Sequence, residues 1–117
     1  MRYMMIVKSS PEAESGAVPS PEELAEMGKF NEELVKAGVM LDRNGLRDSS
    51  EGFRVHYGPG GRTTVVDGPF AEAKELVAGY WIIQVSSREE AVEWARRIPF
   101  QEGEVEVRKV FEEEDFA

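Results

Sequence analysis

Cysteine is absent from this 117-residue sequence and histidine occurs once. The first absence excludes disulfides, a thiolate nucleophile and zinc knuckles. The second leaves His56 as the only side chain that ordinarily titrates near neutrality, and a lone histidine is poor ground for a metal site. No metal and no cofactor is expected. Also missing is any run of about 18 apolar residues, the length a membrane helix needs. The opening MRYMMIVKSS turns polar too soon for a secretory leader, so the expectation is a cytoplasmic protein without membrane contact. Basic residues are scarce: 14 lysines and arginines face 23 carboxylates, for a net charge of −9. A nucleic-acid binder concentrates cations to displace counterions from phosphates. Here the basic pairs Arg96–Arg97 and Arg108–Lys109 sit among glutamates, so direct nucleic-acid binding is not expected. There is no nucleophile elbow, and GPGG at 58–61 lacks the lysine and the following helix of a phosphate loop.

What is present suits one domain over residues 1–117, ending in an acidic, solvated tail at 112–117. Residues Arg2 to Lys8 form a strand apolar on both faces, with Tyr3, Met5 and Val7 on one and Met4 and Ile6 on the other. A Pro-, Ser- and Gly-rich loop leads to a helix capped by Ser20, with Pro21 at its first position and Glu23 completing a capping box. Leu24, Met27, Phe30, Leu34 and Ala37 give that helix one apolar stripe, and Gly38 stops it. A short strand with a bend at Asn44–Gly45 follows, then a hairpin turning at GPGG, in which Phe53, Val55 and Tyr57 alternate with Arg54 and His56. Ala78 to Val85 is a second strand apolar on both faces. Ser87, paired with Glu90, caps a helix that buries Ala91, Trp94, Ala95 and Ile98, and EVEVRKVF closes the chain as a strand.

The order β-α-β-(β)-β-α-β is that of a ferredoxin-like α+β protomer, an antiparallel sheet with two helices on one face. Two helices cover only that face, yet two strands are apolar on both. The second face therefore calls for a homodimer in which sheets pack face to face about a two-fold axis.

Candidate chemistry centres on DGPFAEAKE at 67–75. Asp67 can act as a general base at a strand end, its carboxyl raised by an aromatic such as Phe70, or simply bond backbone N–H groups at the corner that Gly68 and Pro69 turn. Lys74 can hold an anion and Glu72 can serve as a second carboxylate, or Glu72, Lys74 and Glu75 form a solvated face. His56 shares an exposed hairpin face with Arg54. Arg108, on a largely apolar strand, is either a carboxylate clamp or the partner of Glu106 in a salt bridge.

DGPFAEAKELVAGYWIIQV closely resembles the signature of DGPF-domain proteins, a branch of the YCII-related superfamily. MRYMMIV, EELVKAGVML, EEAVEWARRIP and VEVRKV extend the resemblance over nearly the whole chain in order. It implies a dimeric α+β barrel of ferredoxin-like protomers. In the better-studied relatives it also implies an acid–base pair between a histidine on the first helix and an aspartate, one relative being a dehydrochlorinase of a chlorinated hydroxyhydroquinone. An association with sigma factors is implied as well. This sequence departs from that pattern: Met27 stands near the histidine's place, and Ala73 replaces the usual threonine. The positions that carry over are Asp67, Gly68, Pro69, Phe70, Glu72, Lys74, Glu75 and Arg108. The readings left open are a small-ligand or regulatory module, a small-molecule acid–base enzyme using Asp67, and a purely structural dimer.

Overall fold

Strand β1 (Arg2–Lys8) opens the computed structural model, which describes residues 1–117. A single-turn helix α1 (Pro11–Glu14) and the long helix α2 (Pro21–Lys36) follow. The chain continues through β2 (Met40–Gly45), β3 (Phe53–Tyr57), β4 (Thr63–Asp67), β5 (Val77–Gln84), α3 (Arg88–Arg96) and β6 (Val105–Lys109). The helix α1 falls in the stretch expected to be loop. Ser10 starts it by accepting from the Ala13 N–H at 3.1 Å, with Pro11 supplying a preset first dihedral.

Four strands form an antiparallel sheet in the order β2-β5-β1-β6, compatible with a ferredoxin-like α+β arrangement. Strands β3 and β4 pair only with each other. Gly79 lets β2 and β5 meet, because a Cβ there would stand 2.9 Å from the Asn44 carbonyl oxygen.

The period-two alternation sorts the sheet. Tyr3, Met5, Trp81 and Ile83 face α2 and α3 and are buried with Phe30, Leu34, Ala91, Trp94 and Ile98. Met5, Leu34 and Ile83 are fully enclosed, and burying each contributes roughly 2 kcal/mol. Phe30 meets Trp81 edge-on at 5.5 Å, a geometry that puts a ring's positive edge against a negative face.

Both long helices begin at the expected caps. Ser20 and Glu23 bond reciprocally at α2, and the Ser87 hydroxyl accepts from the Glu90 N–H at α3. Two details differ from the sequence reading. The Glu90 carboxylate reaches Ser86 rather than Ser87, accepting from its N–H at 3.0 Å and its hydroxyl at 2.8 Å. Of the apolar stripe of α2 only Phe30 and Leu34 are buried, with Met27 half-buried beside them, while Leu24, 58% exposed, and Ala37 face solvent. Asn31 is buried beside Phe30, and its Oδ1 accepts from the Trp81 indole N–H at 2.8 Å. That bond makes a polar residue tolerable in the core.

On the opposite face of the sheet, Met4, Ile6, Ile82 and Tyr80 lie in register with no helix above them. Asp42 and Asn44 flank Tyr80 there. The phenol donates to Asp42 and accepts from Asn44, both at 3.0 Å.

The β3–β4 hairpin projects from this body as an arm. Phe53, Tyr57 and Val65 are 64%, 84% and 62% exposed. The radius of gyration is 16.5 Å, against about 13 Å for a compact chain of similar length. The molecule measures 47 × 45 × 18 Å. Four strands span only about 20 Å across, so the arm widens the slab rather than folding over it. No helix is long and apolar enough to cross a membrane.

Candidate functional site

The corner after β4 is built by close backbone approach. Gly68 packs so tightly on the 49–51 turn that a Cβ would stand 1.8 Å from the Ser49 carbonyl oxygen. Its N–H donates to the Gly52 carbonyl at 3.0 Å, and the bond to Pro69 is cis. Ser49 then ties three segments together. Its hydroxyl accepts from the Phe70 N–H at 2.9 Å and donates to Glu14 of α1. The other Glu14 oxygen accepts from the Ser49 N–H at 3.0 Å. The Arg54 guanidinium lies 3.8 Å above the Phe70 ring, where the ring's quadrupole attracts a cation.

Asp67 stands apart from this network. It is exposed at the end of β4 opposite Phe53, and its carboxylate accepts no hydrogen bond from the chain. Phe70 is therefore engaged with Arg54, and Asp67 is left free. Glu72 takes a left-handed backbone conformation, φ 62°, which starts the turn at Ala73–Glu75. Its side chain and that of Glu75 are exposed.

Lys74 points elsewhere, into a cleft of about 830 Å³ at the end of the sheet where β1 leaves and β5 enters. Gly79, Tyr80 and Trp81 of β5 line it from the two sides of the strand's end, together with Met27 and Asn31 of α2 and Phe100. Lys8, Arg43 and Lys74 provide its cations, with Glu12, Glu23, Glu102 and Glu104 at the rim. Arg43 and Lys74 form no ion pair, whereas Lys8 sits 4.0 Å from Glu106. A second recess of about 470 Å³ lies between α3 and β6, with Arg88 and Arg96 along one side.

The other candidates are dispersed. His56 is exposed on the arm, paired across the hairpin with Thr64. Arg108 is exposed on β6, at the edge of the sheet away from β2, where its Nη1 bonds Glu106 at 3.1 Å. The chain thus joins Asp67, Gly68, Pro69 and Phe70 in one corner and sends Lys74 to the cleft. His56 and Arg108 join neither. No three or more His, Asp or Glu side chains converge as a metal ion would require.

Glu14, Ser49, Arg43 and Arg54 belong to these arrangements but were not singled out from sequence. The DSS run at 48–50 is a turn signal that points to Ser49. Asp48 does cap that turn through the Ser50 N–H at 3.1 Å. Nothing local points to Glu14, 35 residues away.

A family model described as the YCII-related domain matches residues 1–114. An uncharacterized protein from Rhizobium meliloti (strain 1021) is 50% identical over 36 residues, which is 31% of this chain and 29% of that relative. The match thus spans under a third of the relative's length.

Proposed function

The chain belongs to the YCII-related domain family, and on that basis we propose that it is a homodimeric small-ligand-binding module whose site is the cleft beside Lys74. The cleft carries the reading. Its volume of about 830 Å³ lies within the range of small-molecule sites, roughly 300–1,000 Å³. On its helix side Trp81 and Phe100, with ring centroids 6.5 Å apart, suit a planar or apolar body. Arg43 and Lys74, free of internal partners, suit an anionic group. An uncovered sheet face supports the dimer: Met4, Ile6 and Ile82 form an apolar strip that the helices leave open.

A thermal-shift screen with small carboxylic acids, aromatic acids and neutral counterparts tests the site. A ligand at about 100 times its Kd stabilises by about 2.7 kcal/mol, and the acids are expected to outperform the neutral compounds. Lys74→Ala and Arg43→Ala should each abolish most of the shift. A shift that survives both substitutions would place the ligand elsewhere.

A second reading, an acid–base enzyme with Asp67 as general base, is favoured by that residue's free carboxylate. A purely structural aspartate would bond the N–H groups of its own turn. Asp67→Asn is expected to leave the melting temperature within about 1 °C, because no hydrogen bond is lost, and to abolish any turnover found with a ligand from the screen. A large fall in melting temperature would assign Asp67 to the fold instead.

A further inference from the structure

The recess of about 470 Å³ between α3 and β6 has the volume of a small-molecule site. It lies apart from the Lys74 cleft, although the 100–104 loop borders both. The recess exists because α3 covers the β6 edge of the sheet only in part. Antiparallel partners project to the same side, so Val105, Val107 and Lys109 share the helix-side face with Val7, Met5 and Tyr3. Val92, Ala95, Val105 and Val107 are half-buried there, lining an apolar trench. Along β6 the trench runs four residues from Val105 to Lys109, roughly 13 Å, room for an extended alkyl chain the size of that of octanoate.

The two ends of the trench differ in charge. At one end lies Tyr3, only 9% exposed. Its hydroxyl bonds no group of the chain and is not sealed from solvent, whereas a phenol buried to this extent ordinarily finds a partner. The Val85 N–H donates to the Met1 carbonyl at 2.9 Å, which brings the start of α3, and with it Arg88, to the same end. Lys109 stands directly across from Tyr3. Arg96 is held by Glu93 and Arg108 by Glu106, but Arg88 and Lys109 form no ion pair. At the other end, where the Lys8 N–H donates to the Glu104 carbonyl at 3.0 Å, the lining carries Glu102 and Glu104. An anionic group is therefore drawn to the Tyr3 end and repelled from the far one.

We propose that this recess is a second ligand site, which takes an aliphatic monocarboxylate. The Tyr3 hydroxyl donates to the carboxylate, Arg88 and Lys109 balance its charge, and the alkyl chain lies along Val92, Ala95, Val105 and Val107. In a chain of net charge −9, a single negative charge is admitted more readily than a dianion. The inference rests neither on the Lys74 cleft nor on the dimer, since the recess is on the helix side of the sheet.

Titration of the full chain with butyrate, octanoate and octanamide, followed by calorimetry and by amide chemical shifts, tests it. Octanoate should bind at least about 10-fold more tightly than butyrate, because each further methylene is buried in the trench, and more tightly than the neutral amide. The shifts should concentrate in α3 and β6 rather than β2. Tyr3→Phe loses no bond within the chain, so the melting temperature of the free protein should not move, while the Kd for octanoate should rise roughly 5-fold. Arg88→Ala combined with Lys109→Ala should raise it roughly 10-fold or more, and Lys74→Ala should leave it unchanged. Failure of octanoate to bind, or a Kd indifferent to both Tyr3→Phe and the Arg88, Lys109 double variant, overturns the proposal. Shifts centred on β2 and a Kd that responds to Lys74→Ala instead would assign the acid to the cleft and overturn it equally. A cleft that binds nothing leaves the recess standing, so the two readings fail separately.

Discussion

A methyl group on Gly68 would collide with the Ser49 carbonyl oxygen at 1.8 Å, and neither backbone is free to yield. Gly68→Ala should cost about 3 kcal/mol or more, read as a fall in the urea midpoint. The neighbouring Asp67→Asn should cost almost nothing, so two adjacent residues of one motif separate into a fold determinant and a carboxylate the fold does not use. Asn31 behaves as Gly68 does. Asn31→Ala leaves the buried Trp81 N–H without its acceptor and should cost about 2–3 kcal/mol. Asn31→Gln does not rescue it unless the longer side chain fits the core. At this scale the sequence reading succeeded where the interaction is local. Ser20 with Glu23, and Ser87 with the Glu90 N–H, bond within four residues. Asn31 escaped it because a polar residue beside an apolar stripe reads as exposed until its partner, 50 positions away, is known.

Among the elements, α1 matters beyond its single turn, because Glu14 anchors the 49–51 turn and through Ser49 the Phe70 amide. Ser49→Ala removes two of these bonds and should destabilise by about 1–2 kcal/mol. Hydrogen exchange at the Phe70 amide should accelerate while exchange in β1 and β5 stays slow. The start of α3 responds to acid. Bonds from the Ser86 N–H and hydroxyl hold the Glu90 carboxyl below its ordinary value of 4.5. A depressed folded pKa means that this support is complete above about pH 4.5 and is lost as pH falls through the lower, folded value. Urea midpoints should therefore be flat in this respect above pH 4.5 and decline below it, and Glu90→Gln should reduce the decline. The elements themselves were legible because periodicity and caps are written locally: β1 and the start of α2 fall where the patterns put them. The link from α1 to the corner was not, since it joins residues brought together only by the fold.

For the whole molecule, the sequence showed strands apolar on both faces, and the structure leaves one sheet face without helices. It did not show that the hairpin stands off the body, because alternation of Phe53, Val55 and Tyr57 predicts a covered face without saying what covers it. Nor did it locate the cleft, whose lining is gathered from β1, β2, β5, α2 and the 100–104 loop.

One further consequence lies in the pairing of the first strand with the last. Tyr3 stands opposite Lys109, the Val110 N–H donates to the Arg2 carbonyl at 2.9 Å, and Arg2 also holds Glu112 at 3.0 Å. Residues near 2 and 112 are thus neighbours, while Gly60 and Gly61 at the arm's tip touch nothing that a Cβ would meet. A circular permutant, joined by a short Gly-Ser linker and opened between Gly60 and Gly61, should keep the four-stranded sheet and its near-native circular dichroism. Each half of the arm would then end in a free strand, turning a loop-closed hairpin into an interface that two separately labelled chain ends can report.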